Sequence, residues 1–298
     1  MGRTILQYQK AFNSAINRFK ANKLVLAVMV FGSMVSGDLW DESDIDLLVV
    51  FDNKRTGLKD IYTEEKGIPI HVKLMSKSNF LQSSDEDLKG GFIHRIISSS
   101  RLVFSKDMEI TSQYDVGRYY PDLDRERWNM VYLGELFKNI GLCKKYLQND
   151  VIYTSYIAAV RSVEEFSKLY VNSSGHMISK DAVTIAMNLN NSFRKYVEEL
   201  FFNKSDMAAA INDTMDYFKK YIDKNIRNIT KILLNYMREK DSFLSSEDIK
   251  NDRLFYNYNI NMEEILNSLW QKNLLKKDTR DYKMKDGTVL TQENVYFM

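Results

Sequence analysis

The chain has 298 residues, of which 44% are hydrophobic and 28% are charged, a composition typical of a folded globular protein and not of a disordered or fibrous one. Its 42 Lys and Arg residues nearly balance its 40 Asp and Glu residues. The net charge therefore lacks the strong positive excess of a dedicated nucleic-acid binder, although a local basic patch is still allowed. One cysteine and three histidines argue against a structural zinc site, and we expect any metal to be held by carboxylates.

The length predicts about two or three domains. The longest apolar run, residues 24–31, is far shorter than the roughly 20 residues of a membrane helix, and the N-terminus lacks a signal-peptide pattern. We therefore expect a cytoplasmic protein that makes no use of a membrane.

Residues 1–118 alternate helical and strand patterns and form the first predicted domain. Tyr8, Phe12, Ile16 and Phe19 recur at helical spacing and predict an amphipathic first helix. Uniformly apolar runs or alternation with a period of two predict strands. These strands are expected at residues 23–31, 44–51, 68–74 and 101–104.

Residues 119–240 carry helical patterns alone, and Pro121 marks the boundary before them. Helices are predicted from the apolar stripe between Tyr132 and Leu147, and over residues 154–170, 180–202 and 206–240, with a turn at 203–205.

Residues 241–298 return to a mixed pattern. Helices are predicted at 246–255 and 261–272, and Asp286-Gly287 predicts a hairpin within 281–297. Two short helices followed by a hairpin indicate a winged helix-turn-helix as the third domain.

The chemistry is concentrated in residues 30–50. Gly32 and Ser33 follow a buried strand, so phosphates can approach a backbone without a Cβ and accept hydrogen bonds from amides and the Ser33 hydroxyl. Asp44 and Asp46 lie two apart on the next predicted strand, which projects both carboxylates from one sheet face. Like charges so placed need a cation, and Mg²⁺ with a nucleoside triphosphate is the natural occupant.

This pattern resembles the polymerase-β-like nucleotidyltransferase superfamily, whose motif is Gly-Ser, a spacer and Asp-x-Asp on a strand. The resemblance implies an α+β fold with a nucleotidyltransferase-type mixed sheet and Mg²⁺-dependent attack of an acceptor hydroxyl on the nucleotide α-phosphorus, with pyrophosphate as leaving group. The alternative is a purely structural role, in which Asp44 and Asp46 only cap the start of a strand and Gly32 only makes a turn. The whole layout is similar to uncharacterised Gram-positive bacterial nucleotidyltransferase-like proteins with a C-terminal helix-turn-helix.

One departure from the superfamily pattern concerns the third carboxylate, which usually comes from the following strand. Here that face carries His71 and Lys73. Lys73 would oppose a cation or contact a phosphate; alternatively, both side chains face solvent on an edge strand. Substitute carboxylates from the preceding segment are Asp60, Glu64 and Glu65.

The helical domain is similar in position to the substrate-binding domains of aminoglycoside-type nucleotidyltransferases, which can supply a general base. Glu164 and Glu165 are the candidates. The alternative is a solvated helix face on which Arg161 pairs with Glu165 and Glu164 with Lys168 at i and i+4.

Acidic residues Glu263 and Glu264 begin the presumed recognition helix and would be repelled by phosphates, which favours a protein-contact or domain-packing role over reading of duplex DNA. A basic wing would instead favour binding of duplex DNA. It would be formed by Lys276, Lys277, Arg280, Lys283 and Lys285.

Two functions follow from these features. The first is transfer of a nucleoside monophosphate from a triphosphate to a hydroxyl on an unidentified small molecule, nucleic-acid end or protein. The second is a catalytically degenerate nucleotide-binding or regulatory protein that acts through its winged helix.

Overall fold

The computed structural model describes residues 3–52, 58–86, 91–202 and 206–298. The chain divides into two compact units, Met1–Pro121 and Asp122–Met298. None of the helices in these described ranges is both long enough and apolar enough to span a membrane.

The first unit is a mixed sheet with helices on both faces. Its helices are α1 (Ile5–Ala21), α2 (Ser33–Ser36), α3 (Lys77–Glu86), α4 (Phe92–Ser99) and α5 (Met108–Gly117). Its strands are β1 (Val25–Phe31), β2 (Ile45–Phe51), β3 (Lys59–Glu65), β4 (Ile68–Ser76) and β5 (Arg101–Ser105). The strand order is β3-β4-β2-β1-β5, in which only β2 and β4 are parallel. The mixed α+β class is therefore confirmed.

Alternation along β2 separates two apolar cores. Ile45, Leu47 and Val49 face α1, whose Tyr8 and Ile16 are buried against them. Leu48 and Val50 face the opposite way, toward buried side chains of α3, α4 and α5. Because side chains alternate along a strand, Asp46 lies on the same face as Leu48 and Val50. Strand β2 therefore carries a carboxylate near its start, next to the apolar residues of that face.

Strand β3 was absent from the sequence-based prediction. Its side chains are exposed from Lys59 to Glu64, and it lacks the apolar alternation that marks a half-buried strand. Its presence corrects the expectation that β4 could be an edge strand, because β4 lies between β2 and β3.

The described residues of the second unit begin with six helices. They are α6 (Asp122–Gln148), α7 (Ile152–Ser173), α8 (Ala182–Leu189), α9 (Asn191–Phe202), α10 (Met207–Ile229) and α11 (Lys231–Lys240). The predicted helix over 180–202 is broken at Asn190, whose side chain accepts from the Phe193 amide at 2.9 Å. The predicted helix over 206–240 is broken at Thr230, whose hydroxyl donates to the Ile226 carbonyl at 2.7 Å. The predicted turn at 203–205 lies outside the described residues.

The C-terminal elements are α12 (Ser246–Lys250), α13 (Met262–Gln271), β6 (Lys276–Lys283) and β7 (Val289–Phe297). Helix α12 is shorter than predicted, and the hairpin begins five residues earlier than the predicted 281. An isolated bridge joins Leu244 to Tyr296 beside the hairpin. The segment packs on α6, where Arg127 donates to the Leu254 carbonyl at 2.8 Å and Tyr258 donates to Asp124 at 2.9 Å.

Candidate active site

Gly32 makes the turn between β1 and α2 with φ +69°, a left-handed conformation that favours glycine. A Cβ at this position would also overlap Oδ2 of Asp46, so the turn and the carboxylate are in direct proximity. The amides of Val35 and Ser36 donate to the Gly32 carbonyl at 2.9 and 3.1 Å. Helix α2, a single turn of residues Ser33–Ser36, begins directly after Gly32.

Asp44 and Asp46 flank Ile45, which is fully buried on the opposite side of the sheet. The Asp46 side chain is only 13% exposed. The Tyr8 hydroxyl lies 2.9 Å from the Trp40 carbonyl oxygen and 2.8 Å from that of Ser43, and this fixes the loop leading to Asp44. A buried tyrosine in α1 thus positions the first carboxylate.

His71 lies directly opposite Asp46 in the parallel β2–β4 pair. Its Nδ1 is 3.1 Å from Asp46 Oδ1, and its Nε2 is 2.7 Å from Asp60 Oδ1 on β3. The Tyr62 ring stacks on the imidazole with a centroid separation of 4.6 Å. The His71 ring therefore lies between the carboxylates of Asp46 and Asp60 and contacts one with each nitrogen.

Lys73 lies on the same face of β4 and contacts the same carboxylate of β3 as His71. Its Nζ lies 2.5 Å from Asp60 Oδ1 and 5.3 Å from the centroid of the Phe92 ring. Hydrogen bonds from Lys73 and then His71 hold the pKa of Asp60 below its usual value. The side chains of His71 and Lys73 are 13% and 12% exposed, so the expectation that they face solvent on an edge strand is wrong.

One ligand atom from each of Asp44, Asp46 and His71 lies within 4.8 Å of the others, a spacing that suits a single metal ion. Two neighbouring ligands of an octahedral ion with bonds of about 2.1 Å lie about 3 Å apart. The 3.1 Å between His71 Nδ1 and Asp46 Oδ1 fits that edge. The donor set of two carboxylates and an imidazole therefore fits a divalent cation.

The three substitute carboxylates have separate surroundings. Asp60 reaches the site through His71. Glu65 pairs with Arg18 of α1 and accepts from the Ser14 hydroxyl at 2.8 Å, while Glu64 is exposed. Sequence reasoning named Asp60 but gave no signal for its partners, because its position depends on the register of the unpredicted β3.

Glu164 and Glu165 lie on α7 of the second unit. Lys168 Nζ is 2.7 Å from Glu164 and 2.8 Å from Glu165, which gives the predicted pairing of Glu164 with Lys168. Burial raises the pKa of Glu165 despite its pairing with Lys168. The role of either residue as a general base stays a prediction.

Two comparisons with known proteins found a match. Residues 13–109 match the family model of the polymerase beta nucleotidyltransferase domain. The crystal structure of a nucleotidyltransferase-like protein from Exiguobacterium sibiricum is similar over 97% of this chain and 99% of that one, with a TM-score of 0.68 and 13% identity, and this likeness shows the fold alone. A search of curated proteins found no match. Residues 13–109 thus form a domain of the polymerase-β-like nucleotidyltransferase superfamily.

Proposed function

We propose that this protein transfers a nucleoside monophosphate from a nucleoside triphosphate to a hydroxyl acceptor, with Mg²⁺ or another divalent ion as cofactor. The observation that carries the proposal is the convergence of Asp44 and Asp46 beside the Gly32 turn in a domain of this superfamily. The acceptor oxygen would form a bond to the α-phosphorus, the α–β phosphoanhydride bond would break, and pyrophosphate would leave.

The roles divide between the turn and the strand. Gly32 lets the phosphates approach the backbone, and the Ser33 amide and hydroxyl would donate hydrogen bonds to them. Asp44 and Asp46 would hold the cation. A divalent ion bound there supplies positive charge that stabilises the attacking and leaving oxygens.

The acceptor hydroxyl must lose a proton, and Glu164 or Glu165 keeps the general-base role in this proposal. Both are carboxylates, which can accept a proton in general-base catalysis.

The test is pyrophosphate release from each of the four ribonucleoside triphosphates with a broad panel of hydroxyl acceptors. Asp46→Asn should abolish release, while Asp41→Asn, which changes an exposed carboxylate in the loop before β2, should leave it unchanged. Release that is equal in wild type, Asp46→Asn and Asp41→Asn would overturn the assignment. So would the lack of both release and metal-dependent triphosphate binding in the wild type.

A second candidate function is a nucleotide-binding regulatory protein that acts through the C-terminal segment. It is favoured by His71 standing opposite Asp46, where a carboxylate would complete the usual metal set. The order α11, bridge strand, α12, α13 and hairpin favours a winged helix for residues 241–298.

Charge pairing within that segment favours a protein partner over duplex DNA. Arg280 of the predicted basic wing pairs with Asp248 at 2.6 Å and Glu293 at 2.8 Å. Glu264 is exposed in the first turn of α13, where it would repel phosphates. Fluorescence anisotropy with labelled duplex DNA at low salt tests this: we expect no saturable binding, and tight binding that weakens in Arg280→Gln would reverse the preference.

A further inference from the structure

The imidazole of His71 is oriented by groups on both sides, and this arrangement bears on which ion the site takes. Asp60 Oδ1 lies 2.7 Å from Nε2, a distance that requires a proton on Nε2 because a carboxylate only accepts. By the same rule, the 3.1 Å contact of Nδ1 with Asp46 Oδ1 is a hydrogen bond while Nδ1 carries a proton, and a cation bound there would replace that proton and take the Nδ1 lone pair. An imidazole that donates one N–H to a carboxylate and offers its other nitrogen to a cation is the recurring pattern of histidine metal ligands.

The surroundings stabilise this orientation. Tyr62 stacks on the ring at an interplanar angle of 5° and restricts its rotation. Lys73 donates to the same Asp60 oxygen and keeps that carboxylate anionic, which strengthens its pull on the Nε2 proton. The ring is thus fixed by β3 and β4 together.

We propose that His71 is a metal ligand through Nδ1, that it completes an Asp44–Asp46–His71 set, and that this set prefers a divalent first-row transition ion to Mg²⁺. The proposal rests on the metal site of the proposed function and specifies its ion. The set is supported by the three donor atoms within 4.8 Å of one another and by the 3.1 Å edge between Nδ1 and Asp46.

The preference follows from ligand chemistry. Mg²⁺ takes oxygen ligands almost exclusively, and a third carboxylate would suit it better than an imidazole. Imidazole nitrogen adds affinity for Mn²⁺, Co²⁺ and Zn²⁺, in the order of the Irving–Williams series. With His71 in place of an oxygen ligand, the site therefore has a lower affinity for Mg²⁺ relative to transition ions, while the two carboxylates still bind a divalent ion.

Metal binding itself provides the first readout, independent of turnover. We expect calorimetry on metal-free full-length protein to give a Kd for Co²⁺ and Mn²⁺ at least roughly tenfold below that for Mg²⁺. Co²⁺ should also produce visible absorption bands that report a nitrogen ligand. His71→Gln should shift the bands to those of an all-oxygen Co²⁺ site and lose the preference, and His176→Gln, which changes an exposed histidine of the second unit, should keep both.

Two further variants separate ligation from a merely structural role. His71→Asp should invert the preference, with tighter Mg²⁺ binding and no nitrogen signature, because it restores an oxygen ligand opposite Asp46. Asp60→Asn keeps the ring but weakens its orientation, and we expect Co²⁺ affinity to fall about 10–100-fold with the bands retained. Circular dichroism checks that each variant is folded.

The outcomes distinguish this proposal from the proposed function. Pyrophosphate release with Mg²⁺, together with Co²⁺ binding that is no tighter than Mg²⁺ binding and unaffected by His71→Gln, would overturn the inference and leave the activity. Co²⁺ bands that depend on His71, with no release under any ion, would support the inference and count against the activity. No metal binding at all would overturn the Asp44–Asp46–His71 site and the metal dependence together.

Discussion

The hydroxyl of Tyr8 lies 2.8 Å from the carbonyl oxygen of Ser43, the residue immediately before Asp44. Tyr8 is 1% exposed, so helix α1 contributes to the site through a buried hydrogen bond and not through a charged group. The link explains how a loop between two strands can present a carboxylate at a defined position.

Tyr8→Phe removes this hydrogen bond and leaves the Ser43 carbonyl without that donor. We expect the free energy of unfolding to fall by about 1–3 kcal/mol and metal affinity to fall with it. Urea unfolding and calorimetry measure the two effects. Tyr153→Phe, which changes a tyrosine that is 78% exposed, is the matched control and should alter neither.

Comparison of Ala variants at Gly32 and Gly37 distinguishes the effect of backbone strain from that of steric overlap with Asp46. Both have a positive φ, +69° and +90°, but only a Cβ at Gly32 meets Asp46. Gly37→Ala should lose about 1–2 kcal/mol of stability from the left-handed conformation, and Gly32→Ala, at φ +69° and ψ −151° in a region that is essentially confined to glycine, about 1–3 kcal/mol. Gly32→Ala should in addition displace the Asp46 carboxylate and abolish triphosphate binding, measured with a fluorescent nucleotide. Equal nucleotide affinity in the two variants would contradict the placement of Asp46 beside the turn.

Triphosphate binding should depend on the cation. We expect a chelator to eliminate it in the wild type, and Asp44→Asn or Asp46→Asn to weaken it sharply, because each substitution removes a charged oxygen ligand. Calorimetry with a non-hydrolysable triphosphate is the measurement. Asp41→Asn should bind as the wild type does, and equal affinity across all four proteins would argue against a metal-mediated site.

Asp107 gives the first unit a pH-dependent contribution to stability. It accepts from Lys77 at 2.5 Å and from the Glu109 amide at 2.9 Å, at the N-terminus of α5. Burial alone would raise the pKa of Asp107, but these hydrogen bonds outweigh it and hold the pKa below its usual value. The contribution is therefore present above the ordinary aspartate pKa of about 3.9 and is lost as the pH falls through the lower folded value.

Asp107→Asn should lower the free energy of unfolding by about 1 kcal/mol at pH 7, and the difference from wild type should shrink below about pH 4. Denaturant titrations over that pH range measure it. Asp115→Asn on the exposed face of α5 is the control. A difference that stays constant down to pH 2 would exclude the ionised carboxylate as its source.

Local apolar patterns allowed the central strands to be predicted, and the Gly-Ser and Asp-x-Asp motif allowed the proximity of Gly32 to Asp46 to be predicted. Apolar runs mark β1 and β2, and the period of two places His71 on the face of the carboxylates. The partner of His71 could not be predicted in this way. Asp60 lies on β3, an exposed edge strand without apolar alternation, and its contacts depend on strand register.

The breaks between α8 and α9 and between α10 and α11 could not be predicted from the sequence either. Asn190 and Thr230 interrupt patterns that are helical on both sides, and each makes a side-chain hydrogen bond with the backbone, at 2.9 and 2.7 Å. Such residues also occur inside continuous helices, so composition alone does not locate the break.

The glycine in the middle of α6 has a practical consequence for dissecting the chain. A methyl group at Gly134 would lie 3.1 Å from the Asn261 backbone nitrogen, and the Asn261 side chain donates to Glu135 at 2.7 Å. A fragment that stops at residue 240 would therefore strip α6 of a closely fitted neighbour and expose surface that is covered in the full-length protein. Limited proteolysis near residue 242 should nick the chain without releasing its C-terminal piece, and the two fragments should elute together under native conditions.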